Sequence, residues 1–191
     1  PSQVTNVLMN VLGTHDTARA ITYLVGEDMH SSKDVKAISK LSDDQKIYGV
    51  KLMKLASLMQ YTLPGVPCIY YADEVGLEGY EDPFSRRCYP WGKEESISLL
   101  KWYQKLGYMR KKVKALDSGR FVVLEVRDHF MMYKRVCKED QLLCAINISQ
   151  ENVCVDLPKQ WSKSIDLLDF TSISEKICIP SCSASALFLK L

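Results

Sequence analysis

Tyr61 to Gly76 reads YTLPGVPCIYYADEVG, and this stretch decides the fold class. Pro64-Gly65 ends whatever helix precedes it. Val66 to Tyr71 is then a continuous apolar run without alternation, which reads as a strand buried on both faces, as in a parallel sheet covered by helices. Upstream, Ser42-Asp43-Asp44-Gln45 has the form of a capping box and places two acids at the positive end of a helix. From Ile47 to Tyr61 the apolar positions cover more than one face, predicting a well-buried helix. Val7 to Leu12 reads as the end of a helix or loop running into another buried strand, which stops at Gly13-Thr14. Downstream, Ile97, Leu100, Tyr103, Leu106, Met109, Val113 and Leu116 recur at threes and fours. They predict a helix over roughly residues 95–116, opened by acids and closed by Lys111, Lys112 and Lys114. Strand, helix, strand, helix is an α/β order, with any parallel pair joined by a right-handed crossover.

The character changes near Leu116. After it come seven short runs of strand type: Phe121–Val126, Phe130–Val136, Leu142–Ile148, Val153–Leu157, Ile165–Leu168, Ile177–Ile179 and Ala186–Leu191. Turn-like residues such as Lys138-Glu139-Asp140-Gln141 separate them. Strands at this spacing predict a small antiparallel β-sandwich. The border divides the chain into residues 1–117 and 118–191.

Composition narrows the function. The chain has 191 residues, 47% apolar and 25% charged, with 25 basic and 23 acidic side chains. A net charge of +2 without long basic runs argues against a nucleic-acid partner. No apolar stretch approaches the ~20 residues that span a bilayer, and no signal-peptide pattern opens the chain, so no membrane partner and a cytoplasmic location are expected. Pro1 in place of an initiator methionine suggests a piece of a longer protein. The seven cysteines are scattered in apolar runs and are expected to be buried free thiols rather than disulfides. Cys178 and Cys182 are four apart, but nothing completes a zinc set with them, so neither a metal nor a cofactor is expected.

Polar residues follow each apolar run directly: Thr14-His15-Asp16-Thr17-Ala18-Arg19 after the first, Ala72-Asp73-Glu74 after the second. In α/β sheets ligands bind beyond the carboxyl ends of strands, so two such loops could share a site. His15 and Asp16 read equally as a capped turn. Asp73 and Glu74 are adjacent and point to opposite faces if extended, which suits a loop better than a catalytic pair. Gly76 to Trp91, GLEGYEDPFSRRCYPW, lacks any period and is rich in aromatic and charged residues. Rings that cover a sugar's apolar face, with Asp and Arg for its hydroxyls, would suit a carbohydrate; a surface loop stitched by an Asp82–Arg86 ion pair is the alternative.

NVLGTHDTAR (Asn10 to Arg19), followed by YTLPGVPCIYYADEVGLEGYEDPFSRRCYPW, strongly resembles the α-amylase superfamily, glycoside hydrolase family 13. The likeness is greatest to its neopullulanase, cyclomaltodextrinase and maltogenic amylase branch. It covers about residues 4–116; the strands beyond resemble that family's C-terminal domain. The resemblance implies the last strands and helices of a (β/α)₈ TIM barrel, with the His-Asp pair ending the seventh strand and TLPGVPCIYYADE forming the eighth, followed by the sandwich. It implies that Asp16 is the third catalytic acid, which grips sugar hydroxyls, and that His15 is its hydrogen-bonding neighbour. It implies that Asp82, Pro83 and Arg86 bind the next glucose of an α-glucan oligosaccharide. Ala72 stands where the family often has glycine. The nucleophile and general acid of a retaining glycosidase belong to the fourth and fifth barrel strands in that family, and neither is found among these residues. The chain alone is therefore expected to hydrolyse nothing, and two strands cut from a barrel are expected to self-associate, as in a homodimer through exposed barrel edges. A stand-alone sugar-binding or interaction module, with the sandwich as its active part, is the competing reading.

Overall fold

The computed structural model describes residues 2–27, 30–92, 96–173 and 175–191. It divides into two compact units. One comprises Pro1–Leu8, Tyr61–Val66 and Lys105–Leu191, the other Met9–Gln60 and Pro67–Gln104.

In the second unit, strands β1 (Met9–Val11) and β2 (Val66–Cys68) pair as a two-stranded sheet. Gln60, buried on the helix before β2, ties them together: its Nε2 donates to the Asn10 and Cys68 carbonyls, each at 2.9 Å. The expectation that these strands are buried on both faces fails. Met9 is 70% exposed, and Val11, Val66, Ile69 and Tyr71 are also exposed. An apolar run reports what a strand could bury, whereas burial needs neighbours, and this sheet has only two strands among the described residues.

Helices α1 (Ser2–Thr5), α2 (Ala20–Val25) and α3 (Lys33–Ile38) are short. Helix α4 (Asp43–Thr62) begins at the anticipated capping box: Gln45 N–H donates to Ser42 Oγ at 3.2 Å, and Ser42 N–H donates to Gln45 Oε1 at 2.8 Å. Met53, Leu55, Leu58 and Tyr61 are buried, but Ile47 and Tyr48 face solvent, so the large apolar side chains that are buried lie in the later turns of that helix. Helix α5 runs Ile97–Lys112 and stops short of Leu116, which lies in a separate helix α6 (Ala115–Ser118). Ser96 caps α5 by accepting from Leu99 N–H at 3.3 Å; the acids expected to open it, Glu94 and Glu95, lie outside the described residues. Trp102 Nε1 donates to the buried Ser57 Oγ at 3.0 Å, joining α5 to α4 within this unit.

The first unit contains all seven anticipated strands: β3 (Arg120–Arg127), β4 (Phe130–Val136), β5 (Asp140–Asn147), β6 (Val153–Asp156), β7 (Ile165–Asp166), β8 (Lys176–Ile179) and β9 (Ser183–Lys190). They form a five-stranded sheet in the order β3-β4-β5-β9-β7 and a two-stranded sheet β6-β8, with antiparallel neighbours throughout. One apolar core contains residues of both sheets: Phe130, Met132, Leu143, Ala145 and Leu187 from the larger, Val155, Ile177 and Ile179 from the smaller, with Trp161. Alternation places them there, because every second residue of a strand points to the same face. This is the two-layer arrangement of an antiparallel sandwich.

The cysteine expectation is corrected here. Cys154 and Cys178 form a disulfide, and of the remaining five only Cys144 is buried. The two stand opposite each other in the β6-β8 register with Cα atoms 4.0 Å apart, on the face away from the core. Their chain separation of 24 residues hides that proximity in the sequence.

Candidate functional site

The turn after β1 is built by its own hydroxyls. Thr14 N–H donates to Thr17 Oγ1 at 3.0 Å, and Asp16 N–H donates to Thr14 Oγ1 at 3.3 Å. A threonine hydroxyl that replaces a backbone partner holds the chain in a tight turn. His15 and Asp16 are thereby presented outward, the Asp16 side chain 71% exposed. His15 Nε2 lies 3.2 Å from Asp16 Oδ2.

The loop that follows β2 comes to meet them. Its first turn is the 3₁₀ segment Asp73–Val75, entered through Ala72 at φ 67° and ψ 0°. That is the left-handed region, where glycine carries no penalty and alanine does, so Ala72 sits at a strained backbone position. Further on, Gly79 fastens the loop to the start of α2: its N–H donates to Thr22 Oγ1 at 2.9 Å, and its carbonyl accepts from Arg19 N–H at 2.8 Å. A Cβ at Gly79 would stand 2.3 Å from the Phe84 carbonyl oxygen, so only glycine allows the loop to fold back here. The return brings Phe84–Arg86 over the His15 turn. Ser85 Oγ donates to the His15 carbonyl at 3.0 Å, and Arg86 Nε donates to the same carbonyl at 3.3 Å.

All four residues singled out from the sequence therefore lie together. Arg86 Nε is 2.7 Å from Asp82 Oδ1, and Arg86 Nη2 is 3.5 Å from Asp16 Oδ1. One guanidinium thus bridges two carboxylates whose positions are separated by most of the second unit's chain. The Asp82–Arg86 pair of the plain surface-loop alternative is present, but it is extended to Asp16, which that alternative does not require. The Tyr89 and Trp91 ring centroids lie 4.5 Å apart farther along the loop, the rings tilted by 43°, with Trp91 exposed.

Two features escaped the sequence reading. Arg19, within the quoted motif, is wholly buried against Tyr70, Tyr71 and Asp73. Asp73 is buried with it, and burial pushes its carboxyl up to about 6 against the opposing pull of Arg19. A charged residue reads as surface unless its partner is known, and this partner is fifty-four positions away.

Comparison with known proteins follows the same lines. The chain is 30% identical over 189 residues to a cyclomaltodextrinase of Geobacillus thermopakistaniensis, covering 94% of the chain and 28% of that protein. It is 33% identical over 150 residues to a cyclomaltodextrinase of a Bacillus species, covering 77% of the chain and 23% of that protein. In structure it matches an Anoxybacillus α-amylase with a TM-score of 0.77 and 25% identity, covering 97% of the chain and 38% of that protein. The chain belongs to the α-amylase superfamily. Its relatives place it with the cyclomaltodextrinases and maltogenic amylases of that superfamily. No family-wide sequence profile matches it. This α-amylase superfamily chain spans about a quarter of the length of the curated relatives that it matches.

Proposed function

We propose that the chain is the closing part of a retaining α-glucan hydrolase: residues 1–117 as the end of a (β/α)₈ barrel, residues 118–191 as its C-terminal sandwich. Its share of the chemistry is to hold the substrate. The observation that carries this reading is the Arg86 bridge, which joins the proposed third acid, Asp16, to the proposed neighbouring-glucose residue, Asp82. Each carboxylate oxygen has two acceptor sites, so Asp16 can keep its contacts to His15 and Arg86 while its exposed lone pairs take vicinal sugar hydroxyls. Such bonds speed cleavage only if they strengthen as the ring flattens toward an oxocarbenium-like state. The flattening itself requires a nucleophilic carboxylate and a carboxylic acid about 5 to 5.5 Å apart. We assign those two groups to parts of the enzyme beyond these residues, in keeping with the quarter-length match to its relatives. Asp73 fills neither role, because it is buried against Arg19.

Calorimetry against maltotriose tests the assignment. Binding is expected to weaken at least about tenfold in Asp16→Ala and in Arg86→Ala, the loss of a charge-assisted contact being worth about 1.4 kcal/mol or more. Unchanged affinity in both variants would remove the site from these residues. For location, the intracellular maltogenic amylase of Bacillus subtilis among the relatives supports the cytoplasm, whereas the Cys154–Cys178 disulfide favours an oxidising compartment. No helix among the described residues is long and apolar enough to cross a membrane.

A further inference from the structure

Arg19 ends the turn that carries His15 and Asp16, and its side chain has no exposed surface. A guanidinium keeps its charge when buried, so its surroundings must compensate for the lost water. Compensation comes from a single segment of the loop after β2. The Tyr70 and Tyr71 ring centroids each lie 4.3 Å from Arg19 Cζ, Nη1 donates to the Tyr71 carbonyl, and Asp73 Oδ1 lies 3.4 Å from Nη1. Nε and Nη2 have no hydrogen-bond partner among the described residues. The contact is therefore made by ring faces, one carbonyl and one carboxylate. Tyr71 also reaches forward, its hydroxyl donating to the Arg87 carbonyl at 2.7 Å. Arg19 thus grips the same tyrosine that holds the residue following Arg86.

We propose that Arg19 is a positioning residue: seated over the Tyr70 and Tyr71 rings and paired with Asp73, it fixes where the His15–Asp16 turn meets Arg86, and so the geometry with which Asp16 takes a glucan. The proposal rests on the glucan reading above. Lysine could supply the charge but not a planar guanidinium that lies over both rings and bonds the Tyr71 carbonyl at once, so the role is specific to arginine. Asp73 supplies the counter-charge. The charged groups that bear on it are Arg19 from the turn and Glu74 beside it; Gly13, on the turn side, would bring a Cβ within 3.1 Å of its Oδ2. Burial lifts the Asp73 carboxyl from 3.8 to about 6. Its neutral form is thus favoured by folding, and the stability from this group, complete below 3.8, is lost as pH rises through about 6. Below about 6 Arg19 retains its ring and carbonyl contacts but loses its counter-charge.

The test uses the ¹⁵N-labelled chain in three forms: unchanged, Arg19→Lys and Asp73→Asn. In the ligand-free Arg19→Lys chain, amides of residues 14–17 and 82–87 should shift and exchange about tenfold faster, those of residues 130–147 staying as they are. Maltotriose affinity should fall about tenfold in the same variant. The unchanged chain should bind more weakly at about pH 5 than at about pH 7.5, and Asp73→Asn should diminish that difference. Wild-type amide shifts and exchange at residues 14–17 in Arg19→Lys would overturn the proposal, as would a pH difference undiminished in Asp73→Asn. If Arg19→Lys does not fold, the near-isosteric Asp73→Asn decides by its own amide spectrum and pH response. If no form binds maltotriose, the glucan reading fails, and the ligand-free spectra still decide whether Arg19 positions the turn.

Discussion

At the scale of single residues, Ala72 shows two effects of similar size in opposition. Its left-handed backbone costs about 1–2 kcal/mol relative to glycine. Its methyl group is fully buried with Val75 and Leu77, and one buried carbon contributes about 0.8 kcal/mol in return. Ala72→Gly should therefore change stability by less than about 1 kcal/mol, measured by urea unfolding, and a larger change in either direction would show that one of the two has been misjudged. Residue types in the site were legible because the motif resembles a known family. Their geometry was not. Nothing in the order of residues says that Arg86 reaches back to Asp16, or that Arg19 turns inward to Tyr70 and Tyr71, since both contacts cross dozens of positions. Asp82 to Arg86 was the exception, because four residues bring the partners close within one loop.

At the scale of elements, Arg135 on β4 joins the sheet to helix ends within the first unit. It is wholly buried, with Nη1 donating to the Thr62 carbonyl at 2.9 Å and Nε and Nη2 to the Gly119 carbonyl at 3.2 and 3.0 Å. A cation at helix carboxyl ends suits their dipoles and answers carbonyls that the helices cannot satisfy themselves. Burial lowers its pKa, chiefly through desolvation, but not enough to discharge a guanidinium near neutral pH. Arg135→Leu is expected to cost about 3 kcal/mol or more in urea unfolding, because buried carbonyls lose their donor; a loss below about 1 kcal/mol would contradict that role. The β6-β8 disulfide belongs to the same scale. Closing a loop of about 25 residues confines the unfolded chain, so replacing both cysteines by serine should cost about 3 kcal/mol. A negligible loss would mean that the bond does not form in the purified protein. The seven strands were legible from alternation and turn residues, which act locally. Arg135 was not, because a charge in a strand reads as the solvent face until its partners are seen.

At the scale of the whole molecule, β1 and β2 carry apolar side chains that no described residue covers. Val7, Leu8, Met9, Val11 and Val66 are all exposed, and apolar strands with unpaired edges tend to acquire partners. We expect the isolated chain to self-associate, seen as a concentration-dependent mass in light scattering; a constant monomer mass would argue against it. The α/β order was legible from the alternation of apolar runs and amphipathic helices. The apolar runs alone read as buried, since burial depends on neighbours that a sequence window does not contain; their exposure was legible only through the family resemblance, which implies two strands without the rest of a barrel. We expect this chain to hold a glucan at the His15–Asp16 turn and not to cleave it. A single NMR titration of the labelled chain with maltotriose reads both parts at once. Amide shifts are expected at residues 14–19 and 82–87, none across residues 120–190, with no glucose or maltose signals on prolonged incubation. Product signals that vanish in Asp16→Ala, or shifts confined to the sandwich strands, would contradict it.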